Sequence, residues 1–348
     1  MTVVVANDAP CSMIEIDFIL PCRIIKSQQH IIPETRLNTT LIACALAAAS
    51  AISASAAAAS ASAPADRFDL AITVDDLPAH GPLPKGMRWS AIARSHIATL
   101  KGHGVPEAWG FVNAKRLAEQ PDSAAALDVW RGAGYPLGNH SYSHLGLSAS
   151  PSLHAWQDDV VAGEPPLVAR MGKQDWHVLR FPFLDGGGES VRHDDAAAWL
   201  KARGYRIADV SIGFDDWAYT DTYARCLDKG DRAAITAMKA GYFKRVDQLI
   251  LRTRALSQRV YGRMIPQVLL THMGAWSADT LPEVLARLDA AGARYVALDK
   301  AQADAAYREP SPRAGNGALM ERRAQDAHIA LDGLPAVDPV APLDGVCR

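Results

Sequence analysis

Short apolar runs rich in β-branched and aromatic residues alternate with amphipathic stretches from residue 67 onward. The apolar runs predict strands at 68–74, 108–113, 135–139, 177–181, 205–210, 267–271 and 295–298. Between them, apolar residues recur at helical spacing, which predicts helices at 90–101, 123–132, 153–171, 194–202 and 280–290. This alternation predicts an α/β fold whose strands form a parallel sheet, either open or closed into a barrel.

Three segments depart from this alternation. Residues 36–65 are nearly all Ala, Ser and Leu with no charge after Arg36, and they follow the basic, apolar and small-residue order of a secretory signal. A helical linker or a membrane anchor is the alternative. Residues 221–263 are mostly helical in pattern and rich in Lys and Arg, which predicts an insertion over one end of the sheet. Residues after 306 are rich in Pro, Gly and Ala, as in a surface tail.

These segments predict the organisation of the chain. We expect an upstream segment with a signal at 1–64 that is removed, a main domain at 65–306 that contains the insertion, and a tail at 307–348. The mature chain is then exported to the periplasm or the medium and has no membrane span.

The charge balance excludes one class of partner. The 348 residues include 36 basic and 38 acidic side chains, so no broad cationic field is available to hold nucleic acid. Of five cysteines, three lie in the segment that we expect to be removed, which leaves Cys226 and Cys347. In an oxidising compartment these two can form a disulfide that ties the tail to the domain, and free, inert thiols are the alternative.

Polar side chains follow several of the predicted strands. Asp75 and Asp76 end the first strand, and His140 and His144 follow the third. In a (β/α) barrel, the face where strands run into the following loops carries the active site. One carboxylate and two imidazoles suit a catalytic metal ion with an open position for water. Taken singly, each feature has a structural explanation, because Asp pairs often cap loops and a His-x-x-x-His spacing is common by chance.

Later strands end in further candidate groups. Arg180 precedes a proline turn, and its guanidinium can hold a carboxylate in fixed geometry. Asp216 offers a carboxylate partner and Trp217 an aromatic wall, although core packing is the alternative for Trp217. His272 ends the sixth predicted strand, and its place at the same edge favours an acid/base role. His80, just beyond the first strand, is a candidate substrate contact.

Five motifs occur along the chain in a familiar order: TVDD at 73–76, HSYSH at 140–144, RFPF at 180–183, DDW at 215–217 and LTH at 270–272. With them, the segment from about 68 to 300 resembles the NodB-type polysaccharide deacetylases of carbohydrate esterase family 4. The resemblance implies an irregular (β/α) barrel of about seven strands, with residues 65–306 as the catalytic domain of a variant that carries a helical insertion. Two departures stand out. Leu77 and Pro78 replace the usual Gly, and Asp209 and Asp215 leave the register of the acidic motif open.

The resemblance also implies roles for individual residues. It makes Asp75 the catalytic base and His272 the catalytic acid. Arg180 is similar to the residue that orients the base, and Asp216 to an acidic partner that steadies Arg180 or His272. The implied metal ligands are Asp76, His140 and His144. The implied substrate contacts are Tyr142, Pro182, Phe183 and Trp217.

Together these features predict a metal-dependent deacetylase that acts on the N-acetyl amide of amino sugars in a poly- or oligosaccharide. The ligand set favours Zn2+, with Co2+ or Ni2+ as other candidates. We expect a backbone amide near Tyr142 or Ser143 to help hold the oxyanion. An O-acetyl esterase and a noncatalytic carbohydrate-binding relic are the alternatives. A Ser-His hydrolase is disfavoured, because Gly-x-Ser-x-Gly does not occur.

Overall fold

A computed structural model describes residues 67–187, 190–308 and 317–348, except for the side chain of Ser190. The expected signal segment at 1–64 lies outside the described residues, whereas all of the predicted strands and helices lie within them. Among the helices of these ranges, none combines the length and the apolar character needed to cross a bilayer.

In the described residues, eight strands pair in parallel to form one curled sheet. They are β1 (Phe68–Leu77), β2 (Ala108–Val112), β3 (Leu137–Asn139), β4 (Val178–Leu179), β5 (Arg206–Ile207), β6 (Ile212–Gly213), β7 (Gln267–His272) and β8 (Ala293–Tyr295). The order across the sheet is β5-β4-β3-β2-β1-β7-β6, and β8 pairs with the first residues of β1. Parallel strands with helices between them confirm the predicted NodB-like (β/α) barrel, which here is a curled half barrel.

Helices fill the connections between the strands. The part of the chain that the structure describes contains α1 (Trp89–Gly102), α2 (Lys115–Glu119), α3 (Ala124–Gly132), α4 (Leu153–Ala162), α5 (Pro165–Met171), α6 (Ser190–Ala202), α7 (Thr220–Lys229), α8 (Arg232–Tyr261), α9 (Ala275–Ala290), α10 (Leu298–Gln302), α11 (Ala305–Arg308) and α12 (Leu319–Asp326). The single helix predicted at 153–171 is two helices, α4 and α5. Gly163 ends the first, and Pro165, which lacks an N–H, begins the second.

Strand β1 separates two apolar clusters. Ile72 and Val74 belong to the larger one, which includes residues of α1, α3 and α9 on the outer face. Ala71 points the other way, into a smaller cluster with residues of β2, β4 and β7. Thr73 and Asp75 continue that inner row, and both are buried. The inner face of the sheet thus changes from apolar to polar toward the carboxyl end of β1.

The predicted insertion at 221–263 corresponds to α7 and the 30-residue α8. Helix α12 packs against α8, and Met320 is buried in a cluster that includes Leu256. Cys226 of α7 is disulfide-bonded to Cys347, with Cα atoms 5.1 Å apart. The segment expected to be a surface tail therefore contributes a helix, buried side chains and a crosslink to the domain.

Candidate metal and catalytic site

The candidate side chains meet at the carboxyl-terminal edge of the sheet. Asp75 of β1 lies beside His272 of β7 in the strand register. His140 directly follows β3, and Arg180 directly follows β4, with the Arg180 N–H donating to the Asn139 carbonyl at 3.0 Å. Parallel strands end at the same edge, so motifs far apart along the chain come together here.

Asp76, His140 and His144 place their ligand atoms within 4.8 Å of one another. Asp76 Oδ1 lies 3.4 Å from His144 Nε2 and 3.6 Å from His140 Nε2. Ligands about 2.1 Å from a tetrahedral ion are about 3.4 Å apart, so these separations fit a zinc-sized cation. His140 Nδ1 lies 2.8 Å from the Arg180 carbonyl oxygen, which requires an N–H there. His140 Nε2 therefore presents a lone pair toward the carboxylate.

The charge states of these three residues suit a cation. Burial lowers the pKa of both His140 and His144 to about 4, so both imidazoles are neutral near pH 7. Burial would raise the pKa of Asp76, but the His80 hydrogen bond and the nearby imidazoles hold it well below its usual range. Asp76 and His144 also adopt left-handed φ values of 59° and 62°, which are uncommon for non-glycine residues and often occur at functional sites.

Two further side chains hold Asp76 in place. Asn113 Nδ2 donates to Oδ1 at 2.5 Å, and His80 Nδ1 lies 2.7 Å from Oδ2. The His80 and His272 rings have centroids 4.7 Å apart, and Asp76, His80 and His272 form a second group of potential ligands. The first group is the better cation site, because the pKa of His272 is raised to about 9, chiefly by Asp216, so this ring is protonated near pH 7 and offers no lone pair to a cation.

Arg180 holds Asp75 through a buried ion pair. Its Nη1 lies 3.0 and 3.1 Å from the two Asp75 carboxylate oxygens, and its Nη2 donates to Thr73 Oγ1 at 3.0 Å. Its Nε donates to the Ala208 carbonyl at 2.6 Å, and the guanidinium carbon lies 4.8 Å from the Phe111 ring centroid. Burial raises the pKa of Asp75 despite the opposing effect of Arg180. Asp75 is thus a fixed carboxylate with enhanced basicity.

Asp216 orients His272. Its Oδ1 lies 2.8 Å from His272 Nδ1, and its Oδ2 accepts from the His272 backbone N–H at 2.8 Å. The hydroxyls of Thr271 and Ser277 donate to the same Oδ2 at 2.7 and 2.5 Å. Burial would lower the pKa of His272, but the Asp216 carboxylate outweighs it and raises the pKa to about 9. With Nδ1 engaged, Nε2 of His272 is left to donate a proton.

The structure shows which aspartate of the acidic motif lies in the site, a point that the sequence left open between Asp209, Asp215 and Asp216. Asp215 forms an ion pair with Arg245, and Asp209 forms one with Arg322. Asp216 is therefore the partner of His272, whereas the hydrogen bonds of the Arg180 guanidinium go to Ala208, Asp75 and Thr73.

The proposed oxyanion donors are already engaged. The Tyr142 N–H donates to the Asp159 carbonyl at 2.9 Å, and the Ser143 N–H donates to the Asp159 carboxylate at 3.1 Å. Neither of these two amides is therefore free to hold an oxyanion, because α4 carries an acceptor, Asp159, that the loop sequence alone does not reveal.

Two cavities meet at the site. One has a volume of about 650 Å³ and reaches Asp75 and His272; we call it the apolar cavity, from the side chains described below. The other has a volume of about 690 Å³ and is lined by Lys115, Arg116 and Tyr142, among others; we call it the polar cavity. Both cavities share one boundary, formed by Asp76, His80, His144, Phe183 and Trp217.

The implied substrate contacts fall in different environments. Phe183 and Trp217 are 68% and 56% exposed, which is unusual for large aromatic side chains and leaves their faces open to a ligand. Tyr142 lines the polar cavity. Pro182 is buried and lines neither cavity, so its contribution is to the backbone turn that carries Phe183.

Sequence reasoning missed two residues of the site. Asn113 directly follows β2, and a polar residue after a buried strand was the signal that marked the other site residues. Ser277 lies in the first turn of α9, where no pattern in the sequence distinguishes it.

Part of the chain matches a known protein family. Residues 62–208 match the family model described as polysaccharide deacetylase, which confirms the resemblance drawn from the motifs. The match includes the first three motifs and ends before the DDW and LTH motifs. No curated protein sequence matches the chain.

Solved structures, among them members of carbohydrate esterase family 4, are similar to this chain at low identity. PdaA of Bacillus subtilis is 17% identical, with 68% of this chain and 82% of that chain covered and a TM-score of 0.42. The catalytic domain of a peptidoglycan N-acetylglucosamine deacetylase from Eubacterium rectale is 19% identical over 66% of this chain and 88% of that chain, with a TM-score of 0.44. A family 4 pseudoenzyme from Bacillus anthracis is 15% identical over 68% and 66%, with a TM-score of 0.43.

Proposed function

We propose that this chain, whose residues 62–208 match the polysaccharide deacetylase family model, is a metal-dependent deacetylase that releases acetate from the N-acetyl amide of amino sugars in a poly- or oligosaccharide. The observation that carries the proposal is the convergence of Asp76, His140 and His144 between a buried base, Asp75, and an imidazolium, His272. A zinc ion bound by the three ligands would supply Lewis-acid chemistry, polarising the acyl carbonyl and making water more acidic. Co2+ or Ni2+ would suit the same donors.

Asp75 is the group placed to take a proton from the attacking water. Its Oδ2 lies 3.7 Å from His140 Nε2, so the base borders the ligand set directly. The paired contacts from Arg180 fix its orientation, and its burial increases its affinity for the proton. These are the two properties that general-base catalysis requires, geometry and a suitable pKa.

His272 is the group placed to protonate the departing amine. A pKa of about 9 keeps it charged near pH 7, and its bond to Asp216 fixes the ring so that the other nitrogen carries the transferable proton. Asp75 therefore starts without a proton and His272 starts with one. Amide hydrolysis needs both states, because the base accepts a proton from water and the acid donates one to the amine.

The first test is acetate release by the purified protein. N-acetylated and O-acetylated oligosaccharides are compared with added Zn2+, with Co2+ and after chelation. We expect release from the N-acetylated substrate that depends on the ion and falls at least 10²-fold in Asp75→Asn, the range that general acid–base groups supply. Asp158→Asn is the matched control, since Asp158 lies exposed on α4. Full activity in Asp75→Asn or after chelation would contradict the proposal, and preference for the O-acetyl ester would reassign the enzyme as an esterase.

We also propose that the protein is exported to the periplasm or the medium and acts there on an acetylated carbohydrate. The signal-like pattern of residues 36–65 supports export, and the Cys226–Cys347 disulfide is of a kind that persists in oxidising compartments. In this proposal residues 65–306 form the catalytic domain and residues 307–348 are fastened to it. Sequencing the amino terminus of the exported protein tests the boundary, which we expect near residue 65.

A further inference from the structure

We infer that the apolar cavity binds an acyl group longer than acetyl, so that the preferred substrate is an amino sugar N-acylated with a medium-length chain of about six to eight carbons. The inference rests on the proposed hydrolase activity and changes the acyl group on which it acts. The overall reaction stays balanced: water adds to the acyl carbon, the C–N bond breaks, and a carboxylic acid and an amine leave.

The walls of the cavity are the first argument. Apart from Phe183, Leu184, Trp217 and Ala318, six apolar side chains line it, contributed by the β5–β6 region, β7 and α8: Val210, Ile212, Phe214, Leu249, Leu256 and Leu270. Sugar hydroxyls buried against such walls would lose their hydrogen bonds to water without replacement, at a cost of about 1–3 kcal/mol for each group. An alkyl chain has no such groups, and its transfer from water to these walls is favourable.

The size of the cavity is the second argument. Its volume is about 650 Å³. A methyl group occupies roughly the volume of one water, about 30 Å³, so the methyl of an acetyl group would leave most of the space unfilled. Pockets of this size typically enclose most of a ligand, which suits several methylene groups together with the reacting carbonyl.

The contrast between the two cavities is the third argument. The polar cavity offers Lys115, Arg116, Tyr142 and Arg225, whose donors match the hydroxyls of a sugar. Exposed Phe183 and Trp217 stand on the boundary between the cavities and can pack against a sugar ring. If the scissile amide bond lies at this boundary, the sugar extends into the polar cavity and the acyl chain extends into the apolar cavity.

The charged groups of the apolar cavity do not favour a charged ligand. Outside the catalytic groups and their neighbour Asp215, its lining includes one cation, Arg252, and one anion, Glu321. Arg252 Nη1 donates to the Pro335 carbonyl at 3.1 Å, and Glu321 is exposed on α12. The opposite charges of Arg252 and Glu321 cancel in net charge, so away from the catalytic groups the apolar walls favour an uncharged, apolar occupant.

The experiment measures chain-length dependence in turnover and in binding. Glucosamines N-acylated with two, four, six and eight carbons are hydrolysed by the zinc-loaded protein, and kcat/KM is recorded for each. Each added methylene is expected to raise kcat/KM by two- to four-fold up to about six carbons. The upper figure, about four-fold, is the gain expected when the added methylene is fully buried in the cavity. In parallel, calorimetry gives the Kd of each compound for zinc-loaded Asp75→Asn protein, and we expect the same trend.

Two variants on α8 separate the cavity from general effects. Leu249→Trp adds bulk to the cavity wall and should reduce kcat/KM for the eight-carbon substrate at least ten-fold more than for the acetyl substrate. Leu251→Trp makes the same change two residues away, where the side chain is 60% exposed and lines neither cavity, and should leave the chain-length profile unchanged. Circular dichroism confirms that both variants fold.

The outcomes distinguish the inference from the proposed function. Fastest hydrolysis of the acetyl compound, with Kd independent of chain length, would overturn the inference while the deacetylase proposal stands. Binding that tightens with chain length and depends on Leu249, without turnover of any compound, would support the inference and overturn the hydrolase proposal. An identical response of Leu249→Trp and Leu251→Trp would also overturn the inference.

Discussion

Replacing Asp216 with Asn should remove the upper part of the pH range in which the enzyme works. Oδ2 of Asp216 accepts from the His272 backbone N–H, a donor that cannot turn away. In Asp216→Asn the amide oxygen must take that position, so the amide NH2 faces Nδ1 of His272. Nδ1 then has to accept a hydrogen bond, which only a ring without a proton at that atom can do.

The size of the effect follows from the pKa of His272. Asp216 raises this pKa to about 9 from an ordinary value of 6.5, which corresponds to roughly 3 kcal/mol in favour of the charged ring. In the folded protein the acid is therefore present below pH 9 and is lost as the pH rises through 9. Without the carboxylate, burial still lowers the pKa and Asp76 and Asp75 still raise it, so we take the ordinary value of 6.5 for the variant. At pH 8 the protonated fraction would fall from about nine tenths to about one thirtieth or less.

The assay is kcat/KM for acyl release between pH 5 and 10 at saturating Zn2+. The alkaline limb of the profile should move from near pH 9 in the wild type to below pH 7 in Asp216→Asn, with activity at pH 8 reduced about twenty-five-fold relative to activity at pH 6. Thr271→Val is the matched control, since it removes one hydroxyl from the same Oδ2 and keeps the charge. An alkaline limb that stays near pH 9 in Asp216→Asn would refute the assignment of Asp216 as the source of the raised pKa.

Two further predictions concern Asp75 and the disulfide. Arg180→Lys should lower kcat at least ten-fold, because an ammonium cannot bridge Asp75, Thr73 and the Ala208 carbonyl at once. The affinity for Zn2+, measured by competition with a chelator, should not change. Loss of zinc from the variant would contradict the role given to Arg180. Cys226→Ser should lower the free energy of unfolding, measured by denaturant titration under nonreducing conditions, by about 2–4 kcal/mol. Equal stability of wild type and variant would show that the crosslink does not form in solution.

The longer strands could be predicted because each gives a run of apolar residues long enough to recognise in the sequence. The strands predicted at 68–74 and 267–271 occur as Phe68–Leu77 and Gln267–His272, and the site motifs follow from where these strands end. Strand Ile212–Gly213 has only two residues, too few to show an alternating pattern. The surface tail was predicted from the Pro-, Gly- and Ala-rich composition of residues 307–348. Composition averaged over the segment does not indicate the helix at Leu319–Asp326 or the burial of Met320.

The surroundings of the site were less accessible from the sequence. The aspartates and histidines of the motifs stand out as residue types, but the sequence does not show that His80 and Asn113 hold the two oxygens of Asp76. Those contacts depend on where loops from different strands cross. The same applies to the apolar cavity, because Leu249 reads as an ordinary apolar position on a helix until the fold places α8 beside the catalytic groups.

Asp75 and Asp76 show how the fold divides two identical side chains between two roles. Asp75 belongs to the inner row of β1 and meets Arg180, and its burial raises its pKa. Asp76 turns its backbone to a φ of 59°, and its carboxylate meets three imidazoles that hold its pKa well below the usual range. A proton therefore binds to Asp75 in preference to Asp76, which stays an anion for the cation. The adjacent pair works because its two members receive opposite electrostatic environments, and this separation keeps proton transfer and metal binding from competing for one carboxylate.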